Sequence, residues 1–157
     1  MKTITKYILL FVTLFVGSAS AQQYKVGSKV KPFAANDQHG KAYKFDSKTR
    51  FLLLSLDMST GKKANKVLHA KGAAYFPKKK AAYVANIHGM PGIGRMFAFR
   101  KMKKYAHRII YGDDKDLMTP FPTQKDKVTV LKLDSKGKIL KVSYWDPKKN
   151  NVEAYLK

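Results

Sequence analysis

Ser59-Thr60-Gly61-Lys62 places a lysine one helical turn after a serine. In that arrangement the lysine amine can serve as the base of a nucleophilic hydroxyl. No K-T-G or S-D-N triplet accompanies the pair, and its plainer reading is a helix N-cap followed by solvated lysines. The segment also fails the phosphate-loop pattern, since Leu56 stands where the first glycine belongs. A helix N-terminus carrying Lys62, Lys63 and Lys66 is nevertheless a favourable place for an anion. Four histidines occur, His39, His69, His88 and His107, none with an i, i+4 partner, and no metal site is expected. His88 opens a His88-Gly89-Met90-Pro91-Gly92 loop after an expected strand, where open α/β sheets place their ligands, so it is a candidate pocket residue. Asp113-Asp114-Lys115-Asp116 is the one acidic cluster and reads as a polar turn.

Charge is the strongest signal. The 157 residues hold 32 Lys+Arg against 10 Asp+Glu, a formal net charge of +22. Between Asp57 and Asp113 there are thirteen basic residues and no acid. The anion-binding candidates from that stretch are Lys62, Lys63, Lys66, Lys78, Lys79, Lys80, Arg95, Arg100, Lys101, Lys103 and Lys104. Such a block repels itself, and a bound polyanion relieves the repulsion. There is no cysteine, which removes disulfides, thiol nucleophiles and thiolate metal sites together. No cofactor is implied.

The elements that must position these residues follow from patterning. Phe51–Leu56 is a compact apolar run that suits a strand buried on both faces. Ser59 or Thr60 is expected to cap a helix through Lys71, ended by Gly72. Ala81–Ile87 reads as a strand, Ile93–Tyr105 as a helix and His107–Tyr111 as a short strand. Lys127–Leu133 and Ile139–Tyr144 flank an Asp134-Ser135-Lys136-Gly137 turn, and Pro147 is expected to open a last helix. Ahead of these, Gln38-His39-Gly40-Lys41 turns between extended runs Lys29–Ala35 and Ala42–Phe45. Strand–helix alternation closed by a hairpin argues an α/β fold, a mixed sheet covered by helices.

Lys2 and Lys6, the ten-residue apolar run Tyr7–Val16 and Ala19-Ser20-Ala21 have the three parts of a secretory signal peptide. The apolar run is half the roughly 20 residues a spanning helix needs. Cleavage after Ala21 leaves one domain, 22–157, in the periplasm or outside the cell. Losing Lys2 and Lys6 takes the charge from +22 to +20.

Val26–Phe33 with its glycine and proline, the Asp37-Gln38-His39-Gly40-Lys41 hairpin, the Phe51–Leu56 strand and the Val128–Ile139 strand–turn–strand together resemble redoxin domains of the thioredoxin-like superfamily. The resemblance covers most of residues 26–145. It implies a three-layer thioredoxin-like fold with an N-terminal β-hairpin extension. It also implies a redox centre where the first strand meets the first helix. Here that degenerate position reads Ser59, Thr60, Gly61, Lys62, without a sulfhydryl, and no proline stands near Asp126-Lys127, where the family carries its cis-proline. Thiol–disulfide exchange needs a thiolate as nucleophile and leaving group, so thiol oxidoreductase or peroxidase activity is not expected.

The function expected is therefore a noncatalytic binding or accessory protein of the cell envelope. A basic face would hold an anionic envelope component or an acidic protein. Peripheral contact with an anionic membrane surface is a further option, and nucleic acid would bind only nonspecifically. The rival expectation is a cysteine-independent enzyme built around Ser59, Thr60, Lys62 and His88 and acting on a small anionic substrate. It requires those groups to converge on one concave pocket.

Overall fold

A computed structural model describes residues 22–157; the expected signal peptide lies outside the described residues. In chain order the elements are β1 (Ala34–Asn36), β2 (Ala42–Lys44), β3 (Phe51–Ser55), α1 (Met58–Lys71), α2 (Tyr75–Lys79), β4 (Ala81–Asn86), α3 (Gly92–Met102), β5 (Ile110–Gly112), α4 (Lys115–Met118), β6 (Val128–Leu133) and β7 (Ile139–Trp145). A 3₁₀ turn, Val152–Ala154, closes the chain.

The main sheet runs in the order β5-β4-β3-β6-β7. β3, β4 and β5 are parallel; β6 and β7 are antiparallel additions. Every residue of β3 is buried, as its unbroken apolar run requires. The chain steps from β3 to β4 to β5 in one direction, and crossovers of the single favoured hand then place their helices on the same face. Accordingly Leu68 of α1, Phe76 of α2 and Met102 of α3 share one core with Leu53, Tyr83 and Trp145. On the opposite face Leu52, Leu54 and Ile110 are covered by Val30, Phe45, Met118 and Phe121, from the N-terminal segment and the α4 region. β1 and β2 form the separate hairpin expected before the sheet, turned by Gly40 at φ 75°.

Several boundaries differ from the expected ones for local reasons. Asp57, not Ser59 or Thr60, caps α1: its backbone is extended and its Oδ1 accepts the Thr60 amide at 2.7 Å. Gly72 ends the helix as expected, at φ 81°. α2 contains Pro77, but at its third residue, where a helix has no intrahelical use for the amide that proline lacks. β5 begins at Ile110 rather than His107 because Gln38 takes the preceding backbone. Gln38 Nε2 donates to the His107 carbonyl and Gln38 Oε1 accepts from the Ile109 amide, both at 2.8 Å. Likewise β1 starts only at Ala34, because Ser28 and Val30 bond to the start of β7 and its turn. Pro147 opens no helix. Asp146 closes a turn by accepting the Lys148 amide, and Trp145 Nε1 donates to the Asn150 carbonyl at 2.8 Å.

Candidate functional site

β3 and β4 end side by side, and α1 and α3 leave a cleft between them there. Met58, Met90, Ala98 and Met102 form its apolar walls, Ser55 and Asn65 its polar floor, and Asp57, Lys62 and Lys101 line it too. The cavity is small, about 50 Å³. Gly61 allows α1 to sit this close to the strand, since a Cβ there would lie 3.2 Å from Ser55 Oγ.

The floor belongs to a buried polar network. Ser55 Oγ and Tyr83 OH share a 2.7 Å hydrogen bond. His107, fully buried, donates from Nε2 to Asn65 Oδ1 at 2.9 Å and is ringed by Phe76, Tyr83 and Tyr105. Burial, helped by nearby His69, pushes the His107 pKa down to about 4. Burial likewise raises the Tyr83 phenol well above its ordinary value. Both groups are therefore neutral across the physiological range. The Thr60 hydroxyl and His107 Nδ1 have no partner among the described residues.

The groups proposed for non-thiol catalysis are divided by this geometry. Lys62 lines the cleft, Ser59 is exposed, and Thr60 is buried. His88 lies in a different, shallow cleft with Leu56, Lys115 and Thr119, its Nδ1 3.2 Å from the Asp113 carbonyl. Asn86 stands between the two clefts and lines both. The acidic cluster has structural work. Asp114 caps α4 by accepting from the Asp116 and Leu117 amides, and Asp113 accepts from Nη1 and Nη2 of Arg95. Among the described residues no three His, Asp or Glu side chains gather as a metal site would require.

The basic candidates fall into groups that the sequence does not separate. Lys63 pairs with Asp126 at 3.6 Å, Lys79 with Glu153 at 3.0 Å, and Arg95 with Asp113. Lys78, Lys79 and Lys80 sit just before β4, at the end opposite the cleft, about 20 Å away by strand rise. Lys62 and Lys66 on α1, and Arg100, Lys101, Lys103 and Lys104 on and just after α3, are exposed and make no ion pair among the described residues. Of these, Lys62 and Lys101 line the cleft; Lys66 follows Lys62 along α1, and Arg100, Lys103 and Lys104 lie beside Lys101 on and just after α3.

No family model matches the sequence, and no curated protein matches it. Solved structures do match. The thioredoxin domain of a thiol-disulfide oxidoreductase from Bacteroides vulgatus is 16% identical with a TM-score of 0.53, over 86% of this chain and 100% of that one. A peroxidoxin from Mycobacterium tuberculosis is 17% identical with a TM-score of 0.52, over 84% and 96%. A thio-disulfide isomerase from Thermus thermophilus is 17% identical with a TM-score of 0.54, over 85% and 93%. The fold is thioredoxin-like.

At these identities the likeness carries the architecture alone. Within this thioredoxin-like frame the β3–α1 junction reads Asp57-Met58-Ser59-Thr60-Gly61-Lys62, and the whole chain lacks cysteine. Sequence reasoning located that junction and the missing thiol. It missed the Asn65–His107 pair, for which a polar residue on the inner face of α1 was the available signal. It did not anticipate the exposure of Ile93 and Met96 beside Phe97 on α3.

Proposed function

We propose that this chain is an exported, noncatalytic accessory protein of the cell envelope that holds an anionic partner at the cleft between α1 and α3. One observation carries the reading: Lys62 and Lys101, both without ion pairs, line a cleft at the position where a thioredoxin-like scaffold begins its first helix, four more unpaired cations stand on or just after the two helices that bound it, and that position has no thiol. The cleft floor, Ser55 and Asn65, is uncharged and hydrogen-bonded to the buried Tyr83 and His107. Asp57, the one acid lining the cleft, caps α1 through the Thr60 amide, and Asp126, Glu153, Asp113 and Asp37 pair with other basic residues. Lysine side chains on an open rim favour an extended acidic ligand, such as an acidic peptide or surface polymer, over a small molecule needing a closed pocket.

The test is fluorescence anisotropy of a labelled poly-glutamate peptide titrated with the purified protein. Binding is expected at low salt, weakening as salt rises. Lys62→Gln with Lys101→Gln is expected to weaken it about tenfold, as removal of two close charges should. Lys78→Gln with Lys80→Gln should change it far less. Equal effects of the two pairs would contradict the proposal. Export is tested separately by the N-terminal residue of the protein recovered from its native host, expected to be Gln22.

A further inference from the structure

The outer face of α3 is unusual for a helix on a folded domain. Ile93 is 75% exposed, Phe97 60% and Met96 47%. At 100° per residue these three point the same way, away from the sheet. The inner face is fixed: Met102 is buried, Phe99 stacks on Tyr111 with ring centroids 4.5 Å apart, and Arg95 is held by Asp113. The outward orientation is therefore built in, and no described residue covers it.

The same outward face changes character along its length. Its first half is apolar, and Arg100, Lys101 and then Lys103 and Lys104 follow, all exposed. From Ile93 to Arg100 is about 10 Å along the axis. A helix that docks in a protein groove needs apolar anchors continuing at i, i+3, i+4 and i+7. Here the series Ile93, Met96, Phe97 ends on Arg100 at i+7, so the apolar stripe is too short for that mode. An apolar tip with a cationic collar about 10 Å behind it instead matches the polarity profile of a bilayer, whose interface buries apolar groups by about 5–10 Å beneath charged headgroups.

We infer that α3 docks on an anionic membrane surface, with Ile93, Met96 and Phe97 entering the acyl boundary and Arg100, Lys101, Lys103 and Lys104 meeting lipid phosphates. This rests on the basic-flank reading above and adds lipid phosphate, beside an extended acidic ligand, to what the cations of α3 meet. Helix α3 then inserts obliquely, N-terminal end first. Gly92 and Gly94, which have open space around them, let that end pack closely against lipid.

The test is flotation of protein purified from cells expressing the full chain. The vesicles are phosphatidylglycerol mixed with phosphatidylcholine, or phosphatidylcholine alone. Flotation is expected only with the anionic vesicles. Ile93→Ser with Phe97→Ser, at exposed positions that leave the core intact, is expected to reduce it about tenfold while leaving poly-glutamate binding unchanged. In a Phe97→Trp variant, brominated acyl chains should quench the added indole; the one native tryptophan, Trp145, is fully buried. The inference is overturned if the protein does not float with anionic vesicles, or if the serine variant floats as well as the parent. In either case retained poly-glutamate binding leaves the basic-flank reading standing, and its loss in the parent protein removes both.

Discussion

His107 shows how a residue that looks like chemistry can be architecture. Its neutral imidazole donates to Asn65 inside an aromatic ring of neighbours, and its pKa is about 4 because burial disfavours the charged form. An unfolded histidine titrates near about 6.5, so above that pH the group is neutral in both states and contributes nothing to the pH dependence. As pH falls from about 6.5 towards 4, only the unfolded chain takes up the proton, and up to about 3 kcal/mol of stability is lost. Urea midpoints should therefore drop steeply through that window. His107→Gln, which keeps a donor for Asn65, should flatten the slope; an unchanged slope would mean that another group governs it. That the β3–α1 junction carries no cysteine was legible from composition alone. The role of His107 was not, because its partners lie on a helix and strands far away in sequence. The cap of α1 was misplaced by two or three residues because Asp57, Ser59 and Thr60 are all good caps, and the choice depends on which one has extended backbone. Asp57→Ala should cost about 1 kcal/mol in chemical unfolding.

At the scale of elements, the Asp37-Gln38 corner latches the N-terminal hairpin to the edge of the sheet. Asp37 accepts the His39 and Lys41 amides on Oδ1 and Arg108 Nε on Oδ2, while Gln38 captures the backbone at 107 and 109. Burial pushes the Asp37 pKa upward, but the two amides and the guanidinium outweigh it and hold the carboxyl below its ordinary range. Its contribution is thus fully present above the unfolded value of about 3.9 and is lost as pH falls through the lower folded value. Asp37→Asn should cost about 1–3 kcal/mol at neutral pH, with the gap to the parent narrowing in acid. A constant gap would show that the ionised form is not what the latch uses. The turn was readable in Gln38-His39-Gly40-Lys41, and β3 in its unbroken apolar run. The latch was not, since a glutamine that replaces strand pairing has no local pattern. α2 escaped because Pro77 reads as a breaker unless its place in the first turn is known.

At the scale of the whole molecule, the formal charge of +22 becomes a distribution. The acid-free stretch was legible as a count. Its faces were not, because folding brings Asp37, Asp113, Asp126 and Glu153 to five of its thirteen basic side chains. The remainder divides between the cleft flank and the far end of the sheet. Like charges on each patch repel over distances that salt screens, with a Debye length of about 10 Å at 0.1 M. Melting temperature should therefore rise from low to moderate ionic strength; a flat response would mean that the repulsion is already relieved within the fold. The location of binding is the central claim, and amide chemical-shift mapping during titration with an acidic peptide reads it directly. The account predicts perturbations confined to the first turns of α1 and to α3 with the residues just after it, around Lys62, Lys66, Lys101 and Lys104. Shifts spread equally over Lys78, Lys80, Lys136 and Lys148 would contradict it.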